Sequence, residues 1–395
     1  MKQLNFIQSI FFALVLIAGG MLVSCDDAKY HKLAVHAYIE EALASSGTKL
    51  TVLAEGETTL DLNIHLSELS SVDNHYQLVP DQTALDDYNR VNGTEYIMLT
   101  PDYYTLPKGV TITAGEYNSK TVSVAIKAFT LAMNESGESY ALPLKLVEQD
   151  GSIAAMGTTG TFVILANSII KYPVPMFIGS ANLHADQYTN SPETYGEYTI
   201  EVRFQVSNTA DRNRAIFENS GDAINDVLLR FEDPQSTDGD HKAHSLVQVV
   251  GRNSIYLNPT YSFEPNKWQH LALTCDGSTY RLYINGVYGG MKEIPSGPTT
   301  FADVNWFAGG DYWKNCKILM NEARIWSTCR TELQIQNNMT MVSPKSPGLE
   351  AYWHFTEGKG NVFEDSTGKG HTLTTSITPV WIEGVTSTDT ATPWP

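Results

Sequence analysis

Positive charge is scarce in this sequence. Of its 395 residues, 26 are Lys or Arg against 44 Asp or Glu, and charged residues make up only 18%. A net charge of −18 argues against nucleic acid as a partner, because phosphates are neutralised by Lys and Arg. It argues equally against a purely electrostatic contact with a membrane. Cysteine is sparse too: four are present, none in a CxxC pair or a His/Cys cluster with zinc spacing. There is no HExxH, no Gly-rich phosphate loop and no Ser/His/Asp set. The uninterrupted apolar run Ile10 to Val23 is shorter than the roughly 20 residues that span a bilayer.

That run has the length of a signal-peptide h-region behind a positive Lys2. It ends in Leu22-Val23-Ser24-Cys25, which resembles the lipobox of bacterial lipoproteins. The resemblance implies cleavage before Cys25 and acylation of that residue, and several acyl chains make a stable anchor. Asp26-Asp27 resemble the surface-export signal of Bacteroidota lipoproteins; a solvated tether facing the periplasm is the other reading. The expectation is a leader over 1–24, a tether over 25–32, and a lipid-anchored outer-membrane protein exposed on the cell surface.

What is plentiful is the material of strands and turns: 20 Tyr, 7 Trp and 29 Gly, with 42% hydrophobic residues. Beyond Cys25, three cysteines cannot all pair within one chain. Cys275 ends the run Leu271-Ala272-Leu273-Thr274 and reads as a small core residue. Whether Cys316 and Cys329 form a bridge is left open, since sequence does not place their Cβ atoms.

Residues 33–167 read as a first β domain. Leu60-Asp61-Leu62-Asn63-Ile64-His65-Leu66 and Thr121 to Ile126 alternate as half-buried strands do. Between them, Thr83-Ala84-Leu85-Asp86 opens a short helix that carries Tyr88 and Asn89. That helix, then Leu99 to Tyr104, Ile112-Thr113-Ala114-Gly115 and Tyr140-Ala141-Leu142-Pro143-Leu144, resembles the N-terminal domain of unknown function of Bacteroidota surface lipoproteins, found ahead of lectin-like modules or family 18 glycoside hydrolases. The resemblance implies an Ig-like β-sandwich. Ile170 to Pro175 holds two prolines two apart and reads as an interdomain linker, 168–175.

The second domain is expected over 176–385, with a tail at 386–395. In Tyr198-Thr199-Ile200-Glu201-Val202-Arg203-Phe204-Gln205-Val206 every even position is apolar or aromatic, which predicts one packed face and one wet face. Trp268 to Thr274 and Tyr280 to Ile284 are strands, the latter closed by Asn285-Gly286, a strong hairpin signal. Lys317 to Trp326 is another strand, and Thr331-Glu332-Leu333-Gln334 begins a capped helix. Many short strands with turns between them suggest a sandwich or jelly roll.

Trp268-Gln269-His270-Leu271-Ala272, Leu282 to Gly286, Asn321-Glu322-Ala323-Arg324-Ile325-Trp326, Gly348 to Phe355 and Asp365 to His371 resemble the laminin-G-like jelly roll of the concanavalin A-like superfamily. The fold class expected is therefore all-β: an Ig-like sandwich followed by a concanavalin A-like jelly roll. Members bind glycans, often with calcium, or act as adhesion modules, and some relatives are glycoside hydrolases.

A retaining hydrolase of that superfamily would need paired carboxylates on one strand face. The expected Glu-x-Asp-x-x-Glu pattern is absent, and Glu322 reads as a lone surface or capping acid. His270 reads as a hydrogen-bonded core residue. Trp268, Trp326 and Trp353 fall in the motifs that resemble the family core and read as packing. Sugar binding needs less: an aromatic ring for the C–H face, and amides or carboxylates for the hydroxyls. The loop Asp311-Tyr312-Trp313-Lys314-Asn315, with Trp306 shortly before it, has all of these, and Trp313 is the expected stacking residue; aromatics capping the sandwich core are the other reading. For calcium, the hard-oxygen candidates are Asp222, Asn225 and Asp226, or Asp233, Asp238 and Asp240; both groups also read as solvated turns. The expected function is non-catalytic glycan or polysaccharide capture at the surface, alongside outer-membrane uptake machinery. A divergent hydrolase or lyase, or an adhesin with a protein partner, are the alternatives.

Overall fold

The computed structural model describes residues 34–232, 245–259 and 261–395. Cys25, the 1–32 leader and tether, and Asp233, Asp238 and Asp240 lie outside these residues.

The N-terminal part is a β-sandwich. One layer runs in the order Gly47–Val52, Thr161–Ser168, Tyr140–Gln149, Asn74–Pro80, Val110–Ile112, with Ile97–Met98 beside 140–149. The facing layer is Glu57–Leu62, Val122–Lys127 and Tyr104–Thr105. Leu78, Leu144, Leu146 and Ile164 from the first layer and Leu62, Val124 and Ile126 from the second meet in one core. The alternating stretch 60–66 is two strands, not one. Asn63 interrupts it, held by Glu41 through its backbone N–H and its side-chain amide, each at 3.2 Å. Beyond that break Ile64–Leu66 pairs with Ala37–Ile39 instead of 122–127. The helix begins earlier than the Thr83 start read from sequence. It spans Gln82–Asn92, with Asp81 as cap accepting from the Thr83 N–H, and Gly93 at φ 60° ends it in the left-handed region that glycine tolerates.

The C-terminal part is a larger sandwich of two eight-stranded sheets. The first sheet runs Val287–Glu293, Thr279–Ile284, Gln269–Cys275, Tyr198–Val206, Lys317–Trp326, Lys171–Ile178, Val380–Thr386, with Leu349–Trp353 on 317–326. The second runs Ile255–Leu257, Val247–Gly251, Val227–Phe231, Arg214–Asn219, Val304–Trp306, Leu183–His184, Leu373–Thr374, Val362–Phe363. Phe204, Phe217, Phe231, Trp306, Trp313 and Trp353 fill the space between them. The Asn285-Gly286 hairpin forms, with both residues at positive φ. The Thr331 capping box forms as well, ahead of the Glu332–Asn337 helix.

Three sequence readings need correction here. The supposed linker is sheet: Lys171–Ile178 pairs with 380–386 over Lys171–Met176 and with 317–326 only from Met176 onward. Pro173 and Pro175 thus occupy the half of the strand with a partner on one side, where a missing N–H does least harm. The supposed tail is packed: Thr392 exchanges hydrogen bonds with the Gln205 amide at 2.7 and 2.8 Å, and Trp268 donates its indole N–H to the Thr392 hydroxyl at 2.7 Å. The 198–206 strand has no wet face. Thr199, Glu201, Arg203 and Gln205 are all buried, beneath the 330–338 segment and the C-terminal residues.

The two sandwiches touch. Asn337 Nδ2 donates to the Asn92 carbonyl at 2.8 Å, and Ser343 Oγ to Glu138 at 3.0 Å. Ser346 Oγ donates to Glu95.

Candidate functional site

Part of the outer face of the second sheet is exposed among the described residues, and its composition follows from register. Arg230 stands opposite Gln248 and Leu228 opposite Val250, while Val250 stands opposite Tyr256 on the next strand. Period-two alternation puts Val227, Leu229 and Phe231 in the core and leaves these residues outward. Two adjacent rungs result. One is polar: Arg230 Nε and Nη2 donate to Gln248 Oε1 at 3.1 and 2.8 Å, and Gln248 Nε2 donates to Asn258 Oδ1 at 2.8 Å. The other is apolar, Leu228 and Val250, ending at Tyr256, which is 48% exposed. With Arg212 and Glu232, the residues Arg230, Gln248, Tyr256 and Asn258 line a concavity of about 390 Å³.

The apolar rung continues across the sheet into polar residues. Leu228 stands opposite Glu218, Glu218 opposite Asn305, and Asn305 opposite His184. His184 Nδ1 lies 3.0 Å from Asn305 Oδ1. Burial pushes the Glu218 carboxyl above its ordinary range, and the nearby Asp303 and Asp226 add to this against a hydrogen bond from Ser220.

The sequence-predicted loop is divided by the structure. Trp313 and Trp306 are both fully buried and cannot present a ring to solvent, so the stacking role read for them is overturned. Trp313 packs against Phe307 at 5.5 Å and Phe231 at 6.1 Å between ring centres. The Arg214 guanidinium lies 5.4 Å from its ring centre. Trp306 packs edge-on against Phe217 and Trp353. The short turn Gly310–Trp313 rotates the indole inward while leaving Asp311, Tyr312 and Asn315 exposed. Tyr312, at 51% exposure, adjoins the open face. A Cβ on Gly309 would meet both the Tyr312 ring and the Asn213 carbonyl, and Asn213 Oδ1 accepts from Arg230 Nη1 at 2.8 Å.

The calcium candidates Asp222, Asn225 and Asp226 build a turn. Asp222 Oδ1 accepts from the Ile224 and Asn225 N–H groups and from Asn225 Nδ2, and Asp226 Oδ1 accepts from Gly221. Asn225 Oδ1 accepts from Thr300 N–H at 2.8 Å. These donors tie one oxygen of each side chain into the turn. Among the described residues no three His, Cys, Asp or Glu side chains gather as metal ligands. Cys275, Cys316 and Cys329 are free thiols.

Glu322 is not a surface acid. It is buried, at φ 55° within a register shift of its strand, and it receives Arg324 Nη2 and the Tyr352 hydroxyl. Arg324 also reaches Glu201 Oε2 at 3.3 Å, and Glu201 further receives Arg330 Nη1 at 2.8 Å. His270 Nε2 lies 3.2 Å from Glu201 Oε2, the buried hydrogen-bonded histidine that the sequence suggests. Burial alone would raise the Glu201 carboxyl, but Arg330, His270 and Arg324 together hold it well below the ordinary carboxylate range. Arg324 and His354 likewise outweigh burial at Glu322 and lower it. Both are buried carboxylates whose oxygens are taken by arginines.

Sequence reasoning missed Arg230, Gln248, Tyr256 and Asn258. The available signal was slight: in Ile255-Tyr256-Leu257-Asn258 one aromatic stands at an outward position between two inward aliphatics.

Residues 180–336 match the laminin G model of the concanavalin A-like lectin/glucanases superfamily, and residues 30–153 match a model described only as an N-terminal domain. A candidate carbohydrate-binding protein from Bacteroides ovatus shares the fold with a TM-score of 0.53 and 22% identity, covering 88% of this chain and 97% of its own. The Bacteroides thetaiotamicron EndoBT-3987 structure with Man5GlcNAc product is 15% identical over 34% of this chain and 31% of its own, with a TM-score of 0.29. A heptameric SAP-like pentraxin from Limulus polyphemus is 12% identical over 54% of this chain and 89% of its own, with a TM-score of 0.31. No curated protein matches the chain in sequence.

Proposed function

We propose that this chain, with its concanavalin A-like C-terminal domain, binds carbohydrate without transforming it, on the open face that carries Tyr256. The observation behind this reading is the pairing of rungs: an apolar strip ending in an exposed tyrosine lies directly beside an interlocked row of Arg230, Gln248 and Asn258. A sugar ring is amphipathic in the same way, with a C–H face and a hydroxyl rim. Side chains fixed by mutual hydrogen bonds lose little freedom when a ligand arrives. Tyr312 extends the face toward the loop at 310–313. The burial of Glu201 and Glu322 and their arginine contacts speak against an acid and nucleophile pair. Titration of the folded protein against a glycan panel, with Tyr256→Ala alongside, tests the assignment.

One observation favours catalysis instead: Glu218, on the same open face, has a carboxyl pushed up by burial, as a general acid requires. A hydrolase would release new reducing ends from the bound glycan and lose this in Glu218→Gln; a binding protein releases none.

The leader supports a surface lipoprotein anchored through Cys25 and working beside glycan-uptake machinery. Metabolic labelling with a fatty-acid probe tests the anchor: label should enter the wild type and be absent from Cys25→Ala.

A further inference from the structure

The geometry points to an acidic glycan as the ligand of this face, one whose uronate carboxylate is received by Arg230; the inference rests on the binding face proposed above. Arg230 spends its hydrogen bonds on neutral amide oxygens, those of Gln248 at 2.8 and 3.1 Å and of Asn213 at 2.8 Å. These acceptors fix the guanidinium plane and leave its charge in place. Among the described residues the carboxylate nearest it is Glu232, 4.0 Å from Arg230 Nε. Glu232 is itself taken by Arg212, with Nη2 to Oε1 at 2.8 Å and Nε to Oε2 at 3.3 Å. Two guanidiniums therefore share one buried carboxylate, and among the described residues the lining side chains of the concavity carry a net charge of +1. Both cations reach solvent, Arg230 with 23% and Arg212 with 59% of the side chain exposed.

A planar guanidinium held in a fixed orientation matches a planar carboxylate in two parallel hydrogen bonds, a geometry that a spherical ammonium would not supply. A neutral sugar would use the Tyr256 strip and the exposed Asn258, and would bring Arg230 no carboxylate beyond the Glu232 it shares with Arg212. Glu218, on the far side of Leu228, is pushed toward its neutral form by burial and so opposes an anion less than an ordinary glutamate would.

The test is calorimetric titration of the folded protein with oligogalacturonate, with the same oligosaccharide after reduction of its carboxyls to alcohols, and with a sulfated neutral oligosaccharide. Oligogalacturonate is expected to bind about tenfold tighter than its reduced form, the scale of a charged hydrogen bond gained. Arg230→Gln should erase that ratio. Arg230→Lys, which keeps a cation beside Glu232 but not the planar fork, should narrow it and so keeps the test valid if Arg230→Gln folds poorly. Equal affinity for the reduced form overturns the inference while leaving the binding face standing. Equal or tighter binding of the sulfated sugar overturns the carboxylate assignment. Absence of binding to all three, with Tyr256-dependent binding of a neutral glycan, overturns the acidic ligand alone; absence of binding to any glycan overturns both readings.

Discussion

Trp313 lies inside the C-terminal sandwich with its indole N–H donated to the Ala308 carbonyl at 2.7 Å, closing the turn that brought it there. The same N–H stands 3.2 Å from the Ala215 carbonyl on the neighbouring strand. Trp313→Ala should therefore cost about 3–5 kcal/mol of stability, the usual range for a buried aromatic truncated to alanine. Tyr312→Ala, one residue away and exposed, should stay within about 0.5 kcal/mol of wild type. Urea titration of the two variants checks this, and a Trp313→Ala protein as stable as wild type would contradict it.

Glu201 anchors three cationic or ionisable partners on the covered face of its sheet. Replacing it with Gln leaves Arg330 without its carboxylate and Arg324 with Glu322 alone, and removing one partner from such a buried pair typically costs about 3–5 kcal/mol. Its depressed folded pKa gives the sign with pH: the contribution is present above the ordinary glutamate range and lost as pH falls through the folded value. The acid limb of the wild-type stability curve should be steeper than that of Glu201→Gln, as followed by denaturant melts between neutral and acidic pH.

His371 and Asp365 set a second pH dependence. Burial opposes the imidazolium, but Asp365 at 3.2 Å and Glu193 at 2.8 Å hold His371 above its ordinary value. Burial also opposes the Asp365 carboxylate, and hydrogen bonds from His371 and Thr367 outweigh it and hold it at about 2. The other groups facing the imidazole are Tyr188, its ring tilted against it at 4.6 Å between centres, Glu350, and Tyr195 through Glu193. A raised histidine stabilises fully below its unfolded value of about 6.5 and loses that as pH rises through the folded one; a depressed aspartate stabilises above about 3.9 and loses that as pH falls toward 2. Melting temperature should thus be highest between these limits, and His371→Gln should flatten its alkaline decline. An unchanged alkaline limb in the variant would contradict this origin.

The last residues act as a strap. Deleting 388–395 removes the Asp389 carbonyl from Arg203 and Thr392 from both Gln205 and Trp268. Buried polar groups left without partners cost about 1–3 kcal/mol each. The truncated protein should melt several degrees lower, with Trp268 fluorescence shifted toward that of a solvated indole.

Patterns and turn or cap signals contained within a few residues were legible. The 279–293 hairpin, the 317–326 strand and the capped helix at 332–337 were all readable from local residues. What covers a face was not: Glu201 and Arg203 alternate as solvent-facing residues do, and their partners Arg330 and Asp389 are 129 and 186 residues away. The prolines at 173 and 175 misled for a related reason, because a strand paired on one side tolerates what a central strand rejects. At the site, composition drew attention to Trp313, but one helical turn decides whether a loop tryptophan faces in or out. Tyr256 is a lone tyrosine between two core aliphatics, and only the pairing of its strand with 247–251 exposes its role.

Titration of wild-type and Tyr256→Ala protein against the best ligand from a glycan panel tests most directly whether the Tyr256 face binds sugar. Truncating an exposed aromatic anchor should weaken binding by at least about tenfold, a loss of roughly 1.4 kcal/mol or more, with the melting temperature unchanged. A folded Tyr256→Ala protein that binds the glycan as tightly as wild type would contradict the account.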